Sequence, residues 1–370
     1  MNTVRRLLYA EIVYSVVFVA LAFLSLFFFI DFVDELGDVG TKEYSVLHAA
    51  LYTLLLLPRH LYELFPIAVL IGAIYALSRL AQSSEFTVLR TSGLGPGRAL
   101  GLLGMLGFFF AVFTFIVGDY LAPLSETQAA AVHTNYRGSY KFERAGAWIK
   151  DHRRTPEGER SYSVSVGSAA SDGELLNIHI YEFDADGRLV ARIAAEQGQV
   201  DADATWQLKQ ASVTRWSGSN ADGLAQVREE KFTNFAWPST LSPRVVAAAV
   251  LPVTTMSTLD LFRYISHLAN NEQAAQRYEI QFWKRALYPL ACLVMVALAL
   301  PFAYLQARDS GLSVRVFGGI MLGISFVLLN NVTGHLGLLH EWAPWAVAAT
   351  PSALYLLMSL AAFSWLVRYR

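Results

Sequence analysis

Six uncharged apolar runs constrain this chain more than any other feature. They cover Ile12 to Ile30, Leu64 to Ser78, Ala99 to Val117, Ala286 to Ala307, Val316 to Gly334 and Trp342 to Val367. A helix needs about 20 such residues to cross a bilayer core. Composition agrees: 16% of the 370 residues are charged and 54% hydrophobic, where a soluble domain carries roughly 25% charged residues. The second run extends toward Leu61 and Leu80, and Pro66 marks either a kink or its first turn. Tyr44 to Leu57 is apolar but short, and Pro58-Arg59-His60 interrupts it. It reads as an interfacial helix leading into the second span, with a seventh span as the alternative. The first run reads as a retained span, because cleavage after Ala20-Leu21-Ala22 would leave an apolar stub rich in Phe and Leu. The expectation is a membrane protein with six spans.

Lys and Arg in the short connections set the orientation. Arg5, Arg6, Arg79, Arg90, Arg98, Arg308, Arg315, Arg368 and Arg370 fall on one side, against only Lys42 and Arg59 on the other. Both termini are therefore expected in the cytoplasm, which puts the long polar interval between spans three and four outside it. That interval, from about Leu124 to Arg285, alternates like a β-protein: Ser161 to Val166, Asn177 to Phe183, Ser212 to Trp216 and Lys231 to Trp237. Asp186-Gly187, Ser217-Gly218 and Asp222-Gly223 supply turns. A sandwich or an open barrel-like domain follows. Beyond Pro252, Ser257 is placed to cap a helix bearing Asp260, Leu261, Ile265 and Leu268.

Several function classes are poorly served. A net charge of -1, from 29 basic and 30 acidic residues, offers no field for nucleic acid. The single Cys292 makes no internal disulfide. The sequence has no phosphate loop of the G-x-x-x-x-G-K-[ST] type, no H-E-x-x-H and no G-x-S-x-G. Gly93, Gly95 and Gly97 lie between two spans with no strand before them, and read as a turn. His335 and His340 read as a loop or interfacial pair rather than metal ligands. The central parts of the spans lack the ionisable groups of ion-coupled carriers, so any transport draws its energy from elsewhere. Attention falls on the cytoplasmic segment Ala81 to Gly93. There Ser83 or Ser84 caps a short helix carrying Glu85, Phe86, Val88 and Leu89, and Gly93 stops it. Such a helix suits a partner's groove, or lies as an ordinary interfacial helix.

Ala81-Gln-Ser-Ser-Glu-Phe-Thr-Val-Leu-Arg-Thr-Ser-Gly93 resembles the coupling helix of the LptF/LptG lipopolysaccharide-export permeases. Tyr52 to Pro66, Phe32 to Leu36 and Arg277-Tyr278 through Trp283 look specifically like the LptG branch, and the likeness covers essentially the whole chain. The resemblance implies an α-helical membrane protein with six transmembrane helices and an inserted periplasmic β-jellyroll. Its parts would be helices 1–3 in 1–123 with a coupling helix at about 82–92, the jellyroll in 124–255, connecting helices in 256–283, and helices 4–6 in 284–370. It further implies an inner-membrane subunit without enzymatic activity or a cofactor of its own. Its partners would be an LptF-like permease, an LptB-like ATPase dimer that uses ATP and magnesium, and an LptC-like anchored periplasmic protein. Lipopolysaccharide would be extracted from the membrane and passed to a periplasmic bridge. A membrane scaffold or sensor with a periplasmic β-domain is the alternative.

Residue roles follow from the same resemblance. Glu85, with Phe86, Leu89 and Arg90, matches the ATPase-coupling positions. Arg59 and Arg137 match basic residues at the cavity rim that face substrate phosphates, a pairing suited to guanidinium. His133 and Lys141 are further candidates, and Phe28, Phe32, Phe317 and Phe326 are candidates for lining an acyl-chain cavity. The rim departs from the family in being less basic: Asp31, Gly37 and Asp38 stand where lysines occur in relatives, and Thr134 where a second arginine occurs.

Overall fold

Among the described residues, six helices are long and apolar enough to cross a membrane. They belong to a computed structural model that describes residues 2–40, 44–83, 85, 95–137, 140–141, 147–155, 158–169, 174–201, 204–217, 226–239, 241, 246, 256–270, 275–304 and 311–369. Helices α1 (Asn2–Leu36), α2 (Val46–Gln82) and α3 (Pro96–Ile116) precede the insert, and α6 (Gln276–Tyr304), α7 (Leu312–Leu339) and α8 (Pro344–Tyr369) follow it.

Two boundaries differ from the sequence reading. The stretch from Tyr44 to Leu57 is not a separate interfacial helix: from Val46 it is the first part of α2, which runs unbroken through Pro58 and Pro66. A proline removes one intrahelical bond, and here buried packing from Phe65 to Ile74 on the same helix outweighs that loss. Nor does the third span end with its apolar run at Val117. A π-helical turn, Val117–Leu121, carries it directly into α4 (Ala122–Arg137). A π turn inserts one residue without ending a helix, so a glycine there is no stop signal.

The chain divides into two compact units. The first comprises Met1–Gly37, Ala49–Glu126 and Glu279–Arg370. Its core joins Leu8, Ile12 and Val16 of α1 to Val69, Ala73 and Leu77 of α2, with Leu103 and Phe110 of α3 and Met295 and Ala299 of α6. Gly72 is required where α1 crosses α2, because a Cβ there would sit 2.7 Å from the Val16 backbone. Small residues allow such approach where lipid supplies no hydrophobic drive between helices. Cys292 is free and buried, with its Sγ 3.2 Å from the Thr114 hydroxyl.

The second unit comprises Asp38–His48 and Thr127–Tyr278. Its strands are β1 (Tyr140–Lys141), β2 (Ala147–Thr155), β3 (Gly158–Ala169), β4 (Leu175–Phe183), β5 (Leu189–Val200), β6 (Thr205–Ser217) and β7 (Gln226–Pro238). The pairing is antiparallel throughout, in the order β1-β3-β4-β5-β6-β7, with β2 also on β3. The sheet curls until its ends meet: Arg153 on β2 donates to the Pro238 carbonyl on β7 at 3.2 Å, and Ser239 donates to Asp151 at 3.0 Å. This is the open barrel-like form that alternation suggested. Val164, Ile178, Ile180, Ile193, Trp206, Leu208 and Trp237 fill its interior. The inward-facing set changes parity along β4, β5 and β6, from Leu175 to Ile178, Ala195 to Gly198 and Leu208 to Ala211. Asn177 and Gln210, with φ of 54° and 51°, make that step in β4 and β6. Left-handed backbone comes most readily to Asn among non-glycine residues. The Asp186-Gly187 turn joins β4 to β5, with Gly187 at φ 75° and the Asp184 carboxylate accepting from the Asp186 and Arg188 amides.

Helix α5 (Thr258–Asn270) starts as the sequence indicates. The Ser257 hydroxyl accepts from the Asp260 amide at 3.1 Å and donates to its carboxylate at 2.6 Å. Leu261, Tyr264 and Leu268 form its buried stripe. Near its end, burial pushes the pKa of His267 down, opposed by the Asp151 carboxylate and a hydrogen bond to the Lys150 backbone. A depressed histidine is neutral when folded, so its share of stability is complete above the unfolded value near 6.5 and is lost as pH falls below it. Hydrogen exchange of 258–270, corrected for intrinsic rates, is expected to quicken between pH 7 and pH 5. His267→Gln should flatten that dependence, and an unchanged profile in the variant would exclude His267 as its source.

Candidate functional site

One cluster of charged groups in the helical unit is supplied by α1, α2, the π turn, α4 and α6. Three sets of contacts organise it. His60 Nε2 lies 2.6 Å from Asp31 Oδ2, tying α2 to α1, and the ring of Phe27 stacks on His60 at 4.9 Å between centroids. Arg59 Nε donates to Glu63 Oε1 at 3.1 Å and lies 3.6 Å from Glu126 Oε1. Glu126 is 8% exposed, and its Oε2 finds no hydrogen-bond partner among the described residues.

The third set holds α6. Arg285 is buried, donates to the Gly118 carbonyl, lies 3.9 Å from Asp119 Oδ1, and stacks over the Tyr62 ring at 5.7 Å. The π turn explains how this works: its wider hydrogen-bonding pattern turns the Gly118 carbonyl toward a side-chain donor. Lys284, next in sequence, donates to the Asn330 carbonyl of α7 at 2.8 Å, and Gly334 leaves room for its ammonium. Tyr288 donates to the Glu63 carbonyl. Buried charge is costly unless paired, and here each cation is met by a carboxylate, a ring or a carbonyl.

Beside the His60–Asp31 pair runs a shallow groove lined by Ala20, Phe23 and Leu24 of α1 and Leu61, Leu64, Phe65 and Ala68 of α2, with His60 at its edge. None of the four candidate rings belongs to its lining. Phe28 and Phe32 stack on each other at 5.9 Å and are half-buried. Phe317 is exposed on α7. Phe326 is not on the same wall: it is buried, edge-on to Tyr355 at 5.2 Å, within the packed core. Nine residues of helix amount to two and a half turns, which puts the two rings on opposite faces.

Of the basic candidates, Arg59 is in the network. His133 and Arg137 fall on α4 and Lys141 on β1, with their side chains outside the described residues. Glu85 is helical and exposed, while Phe86, Leu89 and Arg90 lie outside the described residues. Sequence reasoning missed His60, Glu63, Asp119, Glu126, Lys284 and Arg285. One signal was available, the i,i+4 spacing of Arg59 and Glu63. The others meet across 29 to 167 residues of sequence, and nothing local announces that.

Among the described residues, six membrane-length helices with a β-unit between the third and the fourth define a multi-pass membrane protein. The sequence model of the lipopolysaccharide export system permease LptF/LptG matches residues 6–366, and the chain belongs to that family. It is similar to the lipopolysaccharide export system permease protein LptG of Escherichia coli K12, 30% identical over 334 residues that cover 90% of this chain and 89% of that protein. It is also similar to LptG of Haemophilus influenzae, 28% identical over 364 residues, 96% of this chain and 97% of that one.

The π turn sets a local test. A Cβ on Gly118 would come within 2.3 Å of the Tyr62 ring. Gly118→Ala should displace that ring from Arg285 and destabilise the protein by roughly 1–3 kcal/mol, as overpacking does. Thermal unfolding in detergent checks this, and an unshifted midpoint would show that Tyr62 has room to move.

Proposed function

We propose that the chain is one of two permease halves of an ABC-type exporter that takes lipopolysaccharide from the inner membrane and passes it to a periplasmic bridge. The observation that carries this reading is the family match over residues 6–366, nearly the whole chain rather than one motif. In it an LptF-like chain forms the second half, an LptB-like ATPase dimer supplies energy, and an LptC-like protein adds a membrane helix near the first span. The cytoplasmic ends are those with the arginine-rich connections, and the β-unit is periplasmic.

Two apolar stripes support a paired permease. In α1, Tyr14, Phe18, Leu21 and Phe29 are exposed, and in α7 so are Val314, Phe317, Met321, Ile324 and Leu328. Only 11% of the residues in the most apolar window of α1 are buried, against 78% for α2. A helix so open within its own chain meets lipid, substrate acyl chains or a partner helix. Separation of the first and fifth spans from those of the partner would admit substrate laterally. Arg59 would take a phosphate in this reading, and Arg137, His133 and Lys141 are further candidates from the resemblance.

Glu85 is the coupling residue in this reading, reaching the ATPase from the cytoplasmic connection between α2 and α3. Glu85→Ala is expected to leave the complex assembled and hydrolysing ATP while lowering ATP-driven lipopolysaccharide release severalfold or more. Reconstituted complex with an acceptor measures both. Wild-type release by the variant would remove Glu85 from the coupling path.

A further inference from the structure

The guanidinium of Arg59 is held along one edge. Its Nε donates to Glu63 and lies near Glu126, and among the described residues neither terminal nitrogen has a hydrogen-bond partner. Four N–H donors are thus left for a planar or tetrahedral anion, on a side chain 39% exposed. Two carboxylates around one guanidinium make the site net negative, and the neighbouring His60 is engaged by Asp31. An anionic headgroup arriving here is attracted by Arg59 and repelled by the acids that hold it.

The two acids are built differently. Glu126 comes from α4, is 8% exposed, and stays where the fold puts it. Glu63 sits one turn along the same helix as Arg59 and is 51% exposed, so a change of rotamer carries it into solvent. Its backbone carbonyl, and not its carboxylate, is the partner of Tyr288; the side chain is free to leave without disturbing that contact.

We infer that Glu63 is the exchangeable partner of Arg59. It swings into solvent when the phosphate of a lipid headgroup takes the terminal nitrogens, because two anions on one guanidinium repel each other, and its return to Nε weakens the hold on that phosphate, while Glu126 stays beside the Nε edge. This rests on the export reading above. It assigns Glu63 a specificity and release role, and Glu126 a positioning role. Binding at this rim is then deliberately weak, because an internal carboxylate competes with the ligand at high local concentration.

The test uses the whole complex, with its second permease chain and ATPase, reconstituted with an acceptor for released lipid. Lipid A bearing two phosphates and the same lipid with its phosphates removed are compared for retention and for ATP-driven release. Glu63→Gln preserves shape and removes charge. It is expected to raise retention of the phosphorylated lipid and slow its release by about two- to fivefold, the range corresponding to an exposed ion pair. The dephosphorylated lipid should show no difference. Glu63→Asp, which keeps the charge on a shorter stem, should fall between Gln and wild type, and Glu126→Gln should lower retention as its anchor is lost. Equal behaviour of Glu63→Gln and wild type in a complex that exports would overturn the exchange alone, and so would a gain seen equally with dephosphorylated lipid. A wild-type complex that neither retains nor releases lipid A would overturn the export reading and the exchange with it.

Discussion

Pairing of charge in one cluster of the helical unit is the constraint on which the rest depends. Each contact there also fixes a helix. His60–Asp31 joins the first two helices, Arg285 joins α6 to the π turn through Gly118 and Asp119, and Lys284 reaches the Asn330 carbonyl of α7. In a medium of low polarity these contacts are hard to exchange for water. They therefore hold the helices where van der Waals packing alone gives little preference. The π turn belongs to the same logic, since its irregular backbone appears where a buried guanidinium needs a carbonyl.

The opposite property is equally informative. Helix α2 is the buried hub of the unit, and α1 and α7 each keep an apolar stripe that the chain itself does not cover. The proposed role as one half of a paired permease would use both: a rigid centre and open flanks that part and close. Arg59 stands between these demands, fixed at its Nε edge and open at its terminal nitrogens. Asp31 of α1 is occupied as well, as the partner of His60.

Much of the fold was legible because its signals are local. Uncharged runs of membrane length marked all six spans, and alternation with turn residues marked β3, β4, β6 and β7. Strand β2, Ala-Trp-Ile-Lys-Asp-His-Arg-Arg-Thr, escaped because its charges hide one inward Ile149 and a buried Asp151. Strand β5 escaped because Ala191 and Ala195 are small inward residues. The unbroken course of α2 past two prolines, and of the third span past Gly118, depends on neighbours that sequence does not display. Within the site, Arg59 was found through resemblance. Its buried carboxylate partner, Glu126, emerged only from the structure, since it lies on α4, nine residues beyond the apolar run of the third span.

The account stands or falls on whether this chain works as half of a lipid-exporting complex. Native mass spectrometry of the chain, purified in mild detergent after co-expression with candidate partners from its host, tests that most directly. The account predicts one assembly containing this chain, one LptF-like chain, two ATPase subunits and bound lipopolysaccharide. A lone chain carrying neither ATPase nor lipid, under conditions where a control transporter stays intact, would contradict it and favour a membrane scaffold.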